Sequence, residues 1–170
     1  GRPFGRNDLV LLYSGNFGIA HESDTFLEAY RLHVQDGPNH VRLWLNATGA
    51  KVKHVVSYCQ EHNLPLHASA PVPLSELAGL LAAADAHLVV LDAPYWGYVI
   101  PSKIYACLDS KRPILYVGPA ESDVHKLVSG SPDSASVRNG DVEECLAALR
   151  RLAVCRSRES GSNIDRPGRA

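Results

Sequence analysis

The fold is decided by the stretch LVLLYSGNFGIAHESDTFLEAYRLH, residues 9–33. It opens with a continuous apolar run, crosses a loop with glycines at positions 15 and 18, and then repeats apolar residues at three- and four-residue spacing (Phe26, Ala29, Tyr30, His33). An unbroken apolar run of this length is typical of a strand buried on both faces of a parallel sheet, and the later spacing is that of an amphipathic helix. The stretch therefore predicts a strand, a loop and a helix.

The same unit recurs along the chain. Further runs of strand length lie at 41–46, 64–69, 87–92 and 113–117, and the segment 141–154 has a helical pattern. Residues with capping side chains predict where helices begin: Ser23-Asp24, Thr48, Ser75, Ser102 and Ser122. Strands that alternate with helices predict an α/β fold, a Rossmann-like doubly wound parallel sheet with helices on both faces. Ligands of such sheets bind beyond the carboxyl ends of the strands.

Length, composition and charge narrow the kinds of protein that this chain can be. The chain has 170 residues, is 45% hydrophobic and has a net charge of −1, which predicts one globular domain and does not favour a nucleic-acid partner. The four dispersed cysteines lack metal-site spacing and predict separate thiols, with a disulfide pair left open, in a cytoplasmic protein. The chain contains no methionine, which favours a piece excised from a longer protein. We expect residues 1–154 to form the domain and 155–170 a polar, Arg-rich tail.

The loop after the first strand is a candidate anion site. Gly15 and Gly18 let the backbone approach a ligand closely, and a helix follows whose first amides are free donors. Asn16 and His21 add side-chain hydrogen-bonding groups. The alternative is a turn that needs glycine for its geometry alone. The spacing does not match the dinucleotide-binding fingerprint.

The loop after the fourth strand, residues 93–105, is the stronger candidate. It contains three aromatic residues, and Pro101, Ser102 and Lys103 place a hydroxyl and a positive charge at the predicted start of a helix. The alternative is an aromatic plug over the end of the sheet. No G-x-S-x-G, HExxH or Walker motif occurs, so the sequence assigns no catalytic residue and no metal ligand.

Four stretches in the same order carry a resemblance to a known family. Residues 13–29, 83–91, 100–105 and 112–119 resemble the C-terminal domain of retaining family 4 glycosyltransferases, and the nearest group is the exopolysaccharide, colanic-acid-type branch. The resemblance implies one half of a GT-B fold, the half that binds a nucleoside-diphosphate sugar as substrate without a further cofactor. The donor-binding residues it implies are Gly15, Asn16, Gly18, His21, Val72, Pro101, Ser102, Lys103 and Tyr105.

The resemblance also implies a function and its partners. It implies a hexosyltransferase-type enzyme of polysaccharide or glycan biosynthesis that transfers sugar to an acceptor hydroxyl with retention and is inactive as an isolated domain. The expected partners are the donor and an N-terminal acceptor domain, with peripheral membrane contact by the parent protein left open. Two family glutamates are absent, because Ala106 stands at the helix position and the loop offers Gly97 and Tyr98. The alternative is therefore a non-catalytic nucleotide-binding or interaction domain derived from this fold.

Overall fold

A computed structural model describes residues 1–18, 22–37, 41–92 and 103–162 of the chain, without the side chains of 156–162. Its strands are β1 (Leu9–Asn16), β2 (Val41–Thr48), β3 (Leu66–Ser69), β4 (Ala86–Val90), β5 (Ile114–Val117) and β6 (Ala135–Val137). Its helices are α1 (Asp24–Gln35), α2 (Val52–Glu61), α3 (Leu74–Ala83), α4 (Lys103–Asp109), α5 (Asp123–Ser129) and α6 (Val142–Ser162). The strands form one parallel sheet in the order β3-β2-β1-β4-β5-β6, which confirms the predicted doubly wound α/β fold.

The order of the sheet reverses at β1. This strand pairs with β2 along its whole length, from Leu9 opposite Val41 to Asn16 opposite Thr48. Its register with β4 covers only Leu11 and Leu12. The order of the strands thus changes direction between β1 and β4, and ligands of doubly wound sheets bind at the carboxyl ends of the strands at such a point.

Alternation along β1 explains why its apolar run has no polar gaps. Leu11 and Tyr13 point into the main core, which α1, α2 and α6 cover. Val10 and Leu12 point to the opposite face, where they pack with Trp44 under α3. Both faces of the sheet are thus buried, as the sequence pattern predicts.

Three details differ from the sequence prediction. The strand β6 was not predicted, because it has only three residues and a serine at its centre. Thr48 was predicted as a helix start but is the last residue of β2, and Ser75 lies inside α3. The helix α1 begins after Ser23 as predicted, but the carboxylate of Glu22 rather than the Ser23 side chain accepts from the early amide of Thr25, at 2.7 Å.

The Ser122 prediction is confirmed, since its hydroxyl accepts from the His125 amide at 3.1 Å. The helix α6 continues to Ser162, into the segment predicted to be a polar tail, so the boundary at residue 154 stays a prediction. All four cysteines are free thiols, and only Cys155 among them is exposed. None of the described helices combines the length and apolar character that a membrane span requires.

Candidate functional site

Backbone hydrogen bonds join the loops that follow β1 and β2. The Phe17 amide donates to the Thr48 carbonyl at 2.6 Å, and the Lys51 amide donates to the Phe17 carbonyl at 3.0 Å. Gly49 lies between these bonds with a φ of +118°, and a Cβ there would come within 2.5 Å of both the Asn16 Oδ1 and the Phe17 carbonyl oxygen. Only glycine permits this approach. The backbone of residues 16–17 is therefore fixed. The Phe17 amide donates to Thr48 and is not available to a ligand.

Gly15, the glycine predicted to lie in the ligand loop at the end of β1, has open space beside its Cα. Gly15 has a φ of +109°, and a Cβ there would meet no atom within 4 Å. Asn16 is exposed, and its carbonyl accepts from the Tyr13 hydroxyl at 2.9 Å. A ligand can thus approach the backbone of Gly15. The neighbouring residues are held in place by the Tyr13 hydroxyl and by the hydrogen bonds to β2.

Lys103 is the chemically unusual residue of this site. It is the first residue of α4, and its Nζ lies 2.9 Å from the centroid of the Tyr13 ring. The residue as a whole is partly exposed, but its Nζ atom is buried and has no hydrogen-bond acceptor among the described residues. Buried Ile104 and Cys107 anchor α4 against β4 and β5, which holds Lys103 in place.

The burial of this amine decides its protonation. Desolvation lowers the pKa of Lys103 well below its ordinary value, while the Cys107 thiol acts in the opposite direction. A desolvated cation over an aromatic face gains about 2 kcal/mol, whereas burial of an ammonium without a partner costs several kcal/mol. The Tyr13 ring therefore offsets only part of the cost, and a nearby anion would complete the site.

His87 lies on β4, near the carboxyl end of α4, and has a structural role. Its Nε2 lies 2.9 Å from the Ser110 hydroxyl, which itself donates to the Cys107 carbonyl at 2.6 Å. The hydroxyl proton is committed to that carbonyl, so the imidazole donates through Nε2. Burial lowers the pKa of His87 to about 4, and the positive charge of Arg112 acts in the same direction. The sequence prediction of a core histidine rather than a general base agrees with this placement.

The segment 70–72 is braced at the end of β3. The Asn46 side-chain amide donates to the Ser69 hydroxyl and to the Ala70 carbonyl, both at 2.7 Å, and Trp44 also donates to Ser69 at 3.1 Å. Val72 packs half-buried against the cluster under α3. With strands about 4.8 Å apart, the end of β3 lies roughly 10 Å from that of β1.

The structure brings some predicted residues together and separates others. Lys103 and Asn16 both contact Tyr13, so they share one site with Gly15. Tyr105 is 60% exposed and lies two positions after Lys103 on α4, a spacing that does not place two side chains on one helix face. Gly18 follows the fixed segment at the end of β1. His21, Pro101 and Ser102 lie outside the described residues.

Sequence reasoning missed two residues that support the site, Tyr13 and Asn46, and one that supports the end of β4, Asn139. Tyr13 lies within the apolar run of the first strand, so the sequence pattern gave no reason to assign it to a ligand site. Asn46, a polar residue at the end of a buried run, could have been singled out because buried amides need partners. Asn139 precedes α6 and donates to the Leu91 carbonyl at 2.9 Å, which fixes the end of β4.

A large cavity lies at the other edge of the sheet. It has a volume of about 620 Å³ and is lined by residues at the amino ends of strands, including Leu9, Pro113 and Asp133. Doubly wound sheets bind their ligands at the carboxyl ends. We therefore place the candidate site at Lys103 and the β1 loop, where the buried amine lies.

Comparison with known proteins relates the fold to several glycosyltransferases of solved structure. Neither a protein-family model nor a curated protein matches the chain. Among solved structures, the catalytic domain of cholesterol-alpha-glucosyltransferase from Helicobacter pylori has a TM-score of 0.62 at 12% identity, over 92% of this chain and 98% of that one. The chain has the fold of one Rossmann-like half of a GT-B glycosyltransferase.

Two larger proteins share this fold. A variant of TarM from S. aureus, in complex with fondaparinux, alpha-GlcNAc-glycerol and UDP, has a TM-score of 0.64 at 12% identity over 93% of this chain. The pneumococcal O-GlcNAc transferase GtfA, in complex with UDP and GlcNAc, has a TM-score of 0.61 at 9% identity over 91% of this chain. The chain spans only 32% of the TarM chain and 30% of the GtfA chain. At such identities the likeness establishes the fold alone.

Proposed function

We propose that this chain is the donor-binding half of a cytoplasmic, retaining glycosyltransferase that takes a sugar from a nucleoside diphosphate in polysaccharide or glycan biosynthesis. The observation that carries the proposal is the buried Lys103 amine, which lacks an acceptor among the described residues and lies at the point where the strand order reverses. Strongly perturbed ionisable groups in a crevice are typical of functional sites. The fold shared with TarM and GtfA, whose structures contain UDP, supports a nucleotide as the ligand.

In this proposal Lys103 acts on the leaving group. When the bond between the sugar carbon and the phosphate oxygen breaks, negative charge develops on the departing diphosphate. A fixed cation beside that charge stabilises the transition state more than the ground state. Gly15 lets the diphosphate approach the backbone of β1, and the braced segment 70–72 lies two strands away, where it would contact the base. The acceptor and the groups that position it would come from an N-terminal domain.

The direct test is calorimetric titration of the chain with UDP, GDP and ADP. We expect one of them to bind, and Lys103→Met to weaken its binding roughly 10- to 100-fold, the value of a charge-assisted hydrogen bond. Lys111→Met is the matched control, because Lys111 is an exposed lysine that lines the cavity at the amino edge of the sheet. Equal affinity of the wild-type chain and Lys103→Met would refute the proposal.

A non-catalytic nucleotide-binding or interaction domain is the second candidate function. It is favoured by Ala106, which packs against the cluster under α3 where the family resemblance leads us to expect a glutamate. Without that carboxylate, this helix position offers the ribose no charged acceptor. Sugar transfer by the protein that contains this domain, assayed with the nucleotide sugar that binds, would exclude this candidate.

A further inference from the structure

We propose that the Lys103 amine is uncharged in the empty site and takes up one proton from solvent when a nucleoside diphosphate binds. Donor affinity then falls as the pH rises. This inference rests on the proposed function and adds a dependence of donor affinity on pH at the same site.

The surroundings of Lys103 contain no stable counter-ion among the described residues. From β1 it faces the ring of Tyr13, at 2.9 Å from Nζ to the ring centroid. From β4 it is coupled to His87, which is neutral at physiological pH, and from its own helix to the buried thiol of Cys107. None of these groups carries a negative charge near neutral pH.

A bound diphosphate reverses this balance. Its two negative charges beside Nζ favour the ammonium, so the pKa of Lys103, which burial lowers in the empty site, rises again on binding. Proton binding and nucleotide binding are then coupled, and each must strengthen the other by the same factor. Below the pKa of the empty site the amine is already charged, and affinity does not depend on this group. Between the pKa values of the empty and occupied sites, affinity falls by up to about tenfold per pH unit.

The test measures proton uptake directly. The chain is titrated with UDP-glucose, GDP-mannose and ADP-glucose between pH 6.5 and 8.5, each time in two buffers with different enthalpies of ionisation. Nucleotide sugars are used because a free terminal phosphate titrates near pH 6 and would add its own proton. The difference in observed heat between the two buffers gives the number of protons taken up per nucleotide bound.

We expect an uptake that rises towards one proton as the pH increases, together with a loss of affinity of up to about tenfold per unit. Lys111→Met should keep this uptake. Lys103→Arg, whose guanidinium stays charged, should bind with no uptake, and Lys103→Met should show none in any residual binding. Melting curves of the variants confirm that each is folded.

The outcomes separate the two proposals. Binding with the same heat in both buffers at every pH would overturn the inference and leave the proposed function intact, because the amine would then keep the same protonation state in the empty and occupied sites. Uptake that survives in Lys103→Met would also overturn it, since another group would be the proton acceptor. Absence of binding at millimolar concentrations would refute the proposed function, and this inference with it.

Discussion

Gly49→Ala should destabilise the chain through one steric contact between two loops. The new Cβ would lie 2.5 Å from the Asn16 Oδ1 and from the Phe17 carbonyl oxygen, whereas ordinary contacts begin at 3.4 Å. The loops must therefore separate by about 0.9 Å, which strains the bonds that join Phe17 to Thr48 and Lys51. Overpacking of this kind costs about 1–3 kcal/mol, and the positive φ adds a further 1–3 kcal/mol or so.

Gly37→Ala is the matched control for this prediction. Gly37 has a φ of +119°, nearly that of Gly49, but a Cβ there would meet no atom within 4 Å. The difference between the two variants isolates the steric term. We expect Gly49→Ala to be less stable than Gly37→Ala by about 2 kcal/mol, or roughly 4–8 °C in melting temperature for a chain of this size.

The assay is urea unfolding followed by circular dichroism, with nucleotide titration of both variants. Gly49→Ala should also bind the nucleotide more weakly, because it displaces the segment that the ligand approaches. Equal free energies of unfolding for the two variants would refute the reasoning, since the loops would then not be packed as the structure places them.

Two further predictions concern buried polar groups. The low pKa of His87, about 4 against an ordinary 6.5, means that the unfolded chain binds more protons between these values. The free energy of unfolding should therefore fall by up to about 1.4 kcal/mol per unit as the pH drops from 6.5 towards 4. Urea unfolding at several pH values should show a flatter profile for His87→Gln, and an unchanged profile would contradict the assignment. Asn46→Leu removes the side-chain hydrogen bonds to the Ser69 hydroxyl and the Ala70 carbonyl and, at about 0.5–1.5 kcal/mol for each bond, should cost about 1–3 kcal/mol. Hydrogen exchange of residues 69–72 should then accelerate, and unchanged exchange would show that Asn46 does not brace this segment.

The central strands β1, β2, β4 and β5 could be predicted because they are buried on both faces, which leaves nearly unbroken apolar runs in the sequence. The exceptions follow from the same physics. The strand β6 is short and partly polar, and it pairs on one side only, with β5. Thr48 could equally cap a helix or end a strand, and its pairing with Asn16 decides the matter through a contact that no local pattern shows.

The candidate site was only partly predictable, for reasons of distance along the chain. Lys103 and Gly15 were singled out from their own loops, by their residue types. The contact between Lys103 and Tyr13 joins residues on different strand-loop units, and only the reversal of strand order at β1 brings them together. The pKa of Lys103 depends on that burial, so the sequence could suggest a phosphate-binding cation but not one whose pKa is lowered.

The packing of α6 on α1 has a consequence for synthesis of the chain on the ribosome. Cys145, Leu149 and Leu152 of α6 complete the core that begins with Leu9 and Leu11, and the Gly140 amide donates to the Thr25 hydroxyl at 2.8 Å. A nascent chain that ends before α6 has emerged leaves this face of the sheet open to water. Domains generally fold as units during synthesis. Within this domain, β1 therefore waits for α6 before its surroundings are complete.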